Sequence, residues 1–154
     1  MGLLFRAFDC RVGNMVVRLS IALLACAFAV TRAEAADEPK AFACNFTSGV
    51  AYVYEKGQFV PEKAASLSFG IAAIDIQAQT ADLKTERGTG QLRIAHAVNA
   101  THFLEVATEG SLHITTVFDK DEAKGAYPAV HSRHFGLFGQ PIVTQYHGFC
   151  EAKE

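Results

Sequence analysis

From Phe42 onward the chain alternates apolar and polar positions in short runs, broken at intervals of roughly eight to twelve residues by clusters of Gly, Asn, Asp and Lys. That spacing belongs to an antiparallel β-sandwich or β-barrel. Strands are predicted at 42–46, 50–54, 66–76, 80–85, 91–98, 102–107, 112–118, 130–135 and 143–150. No i, i+3, i+4, i+7 pattern persists anywhere in this part of the chain, so the fold class is all-β, a small antiparallel barrel or sandwich of about eight strands. One helical turn is expected at 61–65, where Pro61 followed by Glu62 has the form of a first helical turn.

The register in the middle of the chain depends on loop length. Asn99-Ala100-Thr101 and Thr108-Glu109-Gly110 both suit three-residue hairpin loops, the second with Gly110 at a left-handed position. With both loops of that length, Leu92, Ile94, His96 and Val98 share a buried face with His102, Leu104, Val106, Leu112, Ile114 and Phe118. Arg93, Ala95, Ala97, Phe103, Glu105, His113, Thr115 and Val117 then face outward. A two-residue loop would instead bury Glu105, and the longer loop is preferred because an unpaired carboxylate is costly inside.

The N-terminal residues carry a different pattern. Leu19 to Val30 is a charge-free, mostly apolar run preceded by Arg6, Arg11 and Arg18, and it is followed by the small-x-small triplet Ala33-Glu34-Ala35. Residues 1–35 are read as a secretory signal peptide, with translation starting at Met1 or at Met15, and 36–154 as a single all-β domain. A rival reading takes Leu23-Leu24-Ala25-Cys26 as a lipoprotein site, with Cys26 lipidated and the protein held on a membrane. The apolar stretch continuing from Cys26 to Val30 argues against it, because a lipid-anchored chain emerges into a polar tether.

Residues 36–154 hold fourteen acidic and ten basic side chains with no basic patch, which excludes nucleic acid as the expected partner. They also hold two cysteines, Cys44 and Cys150, near opposite ends. In an exported chain that arrangement reads as a disulfide and places the first strand beside or across from the last.

Candidate chemistry concentrates in Tyr127-Pro128-Ala129-Val130-His131-Ser132-Arg133-His134, followed by the apolar segment Phe135-Gly136-Leu137-Phe138-Gly139. In an extended strand His131 and Arg133 lie on one face, Ser132 and His134 on the other. From a regular strand His131 and His134 cannot share a metal, though from a turn they could, and a third ligand would have to come from His147 or His113, with no diagnostic spacing. A hydrolase would use Ser132 with His134 or His147, but nothing marks a nucleophile elbow, an orienting carboxylate or an oxyanion hole. No catalytic residue, metal ligand or cofactor motif is therefore assigned. The bland alternative is that Arg133 and the histidines pin a strand end through hydrogen bonds.

The run PAVHSRH, with Gln145-Tyr146-His147-Gly148-Phe149-Cys150 and the Phe-x-Cys start at Phe42 and Cys44, resembles the closing signature of a group of small exported bacterial proteins. The resemblance covers most of residues 36–154 in outline. It implies a periplasmic or secreted location, a β-rich fold and a terminal disulfide, and it implies no activity. In architecture alone the chain is also similar to periplasmic lysozyme inhibitors, whose inhibitory motif has no counterpart here. The expected function is non-enzymatic binding of a periplasmic protein or a small apolar ligand, through His131, Ser132, Arg133, His134, Phe135 and His147. Small-ligand binding requires a cavity of several hundred cubic ångströms, on the order of the usual pocket range, whereas a solid core favours surface recognition.

Overall fold

The computed structural model describes residues 38–107, 110–137 and 139–154. The expected signal peptide, with Cys26, lies outside the described residues, as do Thr108, Glu109 and Phe138. Among the described residues the secondary structure is all strand and turn: β1 Ala41–Glu55, β2 Gln58–Lys63, β3 Leu67–Asp75, β4 Thr80–Thr85, β5 Gly88–Ala97, β6 Ala100–Val106, β7 Leu112–Phe118, β8 Tyr127–Leu137 and β9 Gln140–Lys153. The strands pair in the order β2-β1-β3-β4-β5-β6-β7-β8-β9, and β1 also pairs with β9. That last ladder closes the sheet, so β1 and β3 through β9 form an eight-stranded antiparallel barrel with β2 as an added strand. Closure removes the free edges that an open sheet would present.

Alternation along each strand fills the interior. Phe42, Cys44 and Phe46 from β1, Phe69 and Ile71 from β3, Leu92 and Ile94 from β5, Phe103 from β6, Val117 from β7 and Tyr146 from β9 form one buried cluster. Phe46 stacks on Phe69 at 5.6 Å, and Phe42 meets Phe103 and Tyr127 edge-on. Cys44 and Cys150 face each other in the β1–β9 ladder and form a disulfide, both fully buried. A disulfide in this position points away from a reducing compartment.

β1 is one strand where two were predicted, because a register shift between Asn45 and Ser48 carries the ladder across the gap. The bulge presses β1 onto Gly148, where a Cβ would collide with the Asn45 carbonyl oxygen and fall 2.8 Å from the Phe46 Cα. Only glycine leaves room for that approach.

The expected helical turn at 61–65 is not formed. Lys56 (φ 49°) and Gly57 (φ 86°) make a two-residue turn with positive φ at both positions, the geometry that matches hairpin twist. The chain then returns as β2, pairing Phe59 with Tyr54 and Pro61 with Tyr52. Pro61 is tolerated because β2 is an edge strand and needs no second set of ladder hydrogen bonds. The half of β1 beyond Ser48, β2 and the facing ends of β8 and β9 thus extend the sheet past the barrel rim as a flap.

The predicted face assignment is corrected at one turn. β5 and β6 are joined by Val98-Asn99, with Ala97 opposite Ala100, so the loop has two residues instead of three. The next hairpin keeps its predicted register, with Val106 opposite Leu112 and Gly110 at φ 79°. One odd-numbered slip therefore turns both strands of the β6–β7 hairpin over. Phe103, Thr115 and Val117, expected outside, are buried. His102, Leu104, Val106, Leu112, Ile114 and Phe118 lie on the outer face, with Val106 and Phe118 exposed. His96 does not enter the core either: its side chain is 43 % exposed and its Nδ1 meets Thr101 Oγ1 at 3.0 Å.

Candidate functional site

The aromatic core occupies the half of the barrel around Phe42, Phe103 and the disulfide, and the flap end is left open. There a cavity of about 490 Å3 is bounded by Leu67, Phe69 and Leu83 on one side and by Glu105, His113, His131 and Arg133 on the other, with Glu86 and Arg87 of the β4–β5 turn at the rim. The strand order explains the split. Leu67, Phe69 and Leu83 come from neighbouring strands β3 and β4, while the polar groups come from the three consecutive strands β6, β7 and β8. Gly90 adds space between them, since a Cβ there would sit 3.0 Å from Glu105 Oε1 and 3.6 Å from the Leu83 Cβ.

His131 projects inward from β8 among Phe46, Phe69 and Tyr146 and is 5 % exposed. Its Nδ1 is 2.8 Å from Thr115 Oγ1, directly across the β7–β8 ladder, and its Nε2 has no partner among the described residues. Burial, reinforced by the positive charge of Arg133 and then of His113, lowers its pKa from 6.5 to about 3. The ring is therefore neutral near pH 7. Because a hydroxyl can donate to Nδ1 or accept from it, Nε2 is free to act as either donor or acceptor.

Two residues further along the same face, Arg133 places its guanidinium carbon 5.9 Å from the centre of the Tyr146 ring. Its Nε is buried without a partner, and among the described residues no carboxylate reaches it at ion-pair distance. Across the ladder from Arg133 stands His113, whose Nδ1 is 2.8 Å from Glu105 Oε2. That contact answers the objection to burying Glu105: the two-residue turn brings the carboxylate inside together with its own histidine.

The structure thus unites two of the residues singled out in the sequence, His131 and Arg133, and separates the rest. Ser132 and His134 alternate to the outer face, where they pair with Gln145 and Val143, and His147 lies opposite Val130 on that same face. Phe135 is on the inner face of the flap, opposite Ile142. The Ser132–His134 and Ser132–His147 combinations therefore point away from the cavity. Among the described residues no group of three His, Cys, Asp or Glu side chains converges as a metal site.

Glu105, His113 and Thr115 were missed as site residues because the misplaced turn put them outside. The available signal was their pairing: Glu105 and His113 fall opposite each other in either register, and a carboxylate–imidazole pair can enter a barrel where a lone carboxylate cannot.

At the other end of the barrel a cavity of about 150 Å3 is walled largely by Phe42, Ile74, Phe103, Val117 and Tyr127, with His96 and Glu38 at its margin. It has no buried polar atom lacking a partner among the described residues.

Fold and site together define a small disulfide-tied β-barrel with a polar chamber at one end. Compared with family models and with curated proteins, the chain matches none.

Proposed function

We propose that this is an exported, non-enzymatic binding protein, periplasmic or secreted, that holds a small organic molecule in the flap-end cavity. The observation that carries this reading is the pair of buried, partnerless atoms, His131 Nε2 and Arg133 Nε, in the wall of an open chamber. A buried polar group left unsatisfied costs about 1–3 kcal/mol, and a ligand with complementary atoms would recover it. The chamber falls within the usual small-molecule range and combines an apolar wall with a few convergent polar groups, as ligand sites do. The ligand expected from sequence was apolar; the four polar residues lining one wall favour an amphipathic one.

Native mass spectrometry of the protein purified from its exported fraction, before and after denaturation, tests this directly. The expected result is an oxidised chain beginning at Ala36 with a passenger mass that is lost on denaturation. A Leu83→Trp protein, whose added ring fills the apolar side of the chamber, is expected to carry none. A bare wild-type chain, or a passenger undiminished in Leu83→Trp, overturns the proposal.

A second reading, recognition of a protein partner, is favoured by the outer face of the flap, where Tyr52 is 39 % and Phe59 is 52 % exposed. Tyr and Phe are enriched in such interfaces. Loss of a co-purifying protein on the double change Tyr52→Ser and Phe59→Ser would support it, and retention would remove it.

A further inference from the structure

We infer that the ligand is a monocarboxylic acid, its carboxylate seated on Arg133 and His131 and its apolar body lying against Leu67, Phe69 and Leu83. This rests on the flap-end cavity being a ligand site, as proposed above, and adds the chemistry of what fills it.

The charge of the chamber wall calls for an anion. Arg133 is a permanent cation turned into the barrel with a buried Nε and no carboxylate partner among the described residues. The face of Tyr146 gives it partial compensation at 5.9 Å. An inward-facing cation without its counter-charge is costly, and an anion is the group that relieves it. Glu105, the nearby carboxylate in the wall, is already engaged by His113 at 2.8 Å.

Geometry narrows the anion. A guanidinium presents parallel N–H donors that match the two oxygens of a planar carboxylate. His131 lies two positions along the same face of β8, is only 5 % exposed, and offers Nε2 as a further donor when Thr115 Oγ1 donates to Nδ1. Arg133 is the guanidinium with a buried nitrogen in the chamber wall, Arg87 lies at the rim beside Glu86, and Glu105 in the wall opposes a second negative charge, which disfavours a phosphate dianion. The opposite wall of Leu67, Phe69 and Leu83 has no charged group and suits an alkyl or aryl substituent.

The test is a matched panel titrated into the oxidised protein: hexanoate and phenylacetate, their neutral amides hexanamide and phenylacetamide, and inorganic phosphate. Binding is followed by calorimetry and by the NMR signals of the His131 and His113 rings. The acids are expected to bind at least tenfold more tightly than their amides and than phosphate, moving the His131 signals. Arg133→Met, which removes the charge and the two-pronged donor while keeping an unbranched chain, is expected to abolish that preference. Arg133→Lys is expected to weaken acid binding severalfold while keeping some of it. If Arg133→Met unfolds, the acid-to-amide ratio in the wild type and Arg133→Lys still decides.

Amides that bind as tightly as acids would overturn the carboxylate assignment and leave the cavity as a binding site for neutral polar molecules. Tighter binding of phosphate than of either acid would overturn it in favour of an oxyanion site. A passenger found in the chamber together with no binding of any panel member would overturn the assignment alone. Silence of the whole panel with no passenger would overturn the binding reading as well.

Discussion

His131 is the residue whose chemistry departs furthest from its value in water, and the departure has a definite sign. Its pKa is about 3 in the folded chain, lowered by burial and by the neighbouring charges of Arg133 and His113, against 6.5 when exposed. Below pH 6.5 the unfolded chain takes up a proton that the folded chain refuses, so stability falls as pH drops from about 6.5 toward 3 and is fully present above that window. From this group the slope is about 1.4 kcal/mol per pH unit, accumulating to roughly 5 kcal/mol across the window. The groups that face it are Arg133 on its own strand and His113 on β7, the latter tied to Glu105 on β6. Urea unfolding between pH 6.0 and 4.5 is expected to show this slope in the wild type. His131→Asn, which keeps a polar atom near Thr115 but does not titrate, is expected to flatten the profile over the same interval. An unchanged slope in the variant would place the acid sensitivity elsewhere.

Among elements, the strands at 80–85 and 112–118 were legible to the residue, the first as a run of period-two alternation and the second as a β-branched run ending in Phe118 between Gly110-Ser111 and Asp119. Legible too was the facing of His131 and Arg133, since parity within a single strand needs no partner. What the sequence left undetermined was set by contacts between strands. Val98-Asn99 has no glycine to mark a two-residue turn, and its position decided which face of two further strands went inside. The segment at 58–63 reads locally as a helix start at Pro61, yet it becomes β2 because Tyr52 and Tyr54 of β1 offer Pro61 and Phe59 a surface to pair against. The continuity of β1 through 46–49 depends in the same way on a glycine a hundred residues later in the chain, roughly the separation at which only tertiary packing can speak. That dependence is testable. With its Cβ directed into the Asn45–Phe46 backbone, Gly148→Ala is expected to lose about 3 kcal/mol or more, at the upper end of the overpacking range, because backbone cannot swing aside as a flexible side chain would. Denaturant midpoints measure it, and a loss below about 1 kcal/mol would mean the bulge relaxes freely.

For the whole molecule the β1–β9 seam is where closure is made, and the disulfide lies inside it. Cys44 and Cys150 are 1 % and 0 % exposed, so a reductant reaches them only when the seam or the barrel opens. Breaking the bond frees a loop of sequence separation 106, which on the chain-entropy model removes about 4–5 kcal/mol of stability. A domain of this size has a total of only about 5–15 kcal/mol to lose. The same opening would uncover two strand edges that the native barrel hides, leaving β2 as the one edge adapted to exposure, with Pro61 along it and Glu62 and Lys63 at its end. Reduction is therefore expected to be slow in native buffer, fast in urea concentrations that populate the open form, and followed by loss of soluble protein. The double variant Cys44→Ser and Cys150→Ser is expected to unfold at a correspondingly lower urea concentration with a similar m-value. Rapid reduction of the native protein without added denaturant would show that the seam breathes independently of the core. A shared opening of seam and core would instead make closure of the sheet, burial of the aromatics and support of the cavity wall parts of one cooperative unit, because Phe46 and Tyr146 lie on the two disulfide-bearing strands and pack against His131.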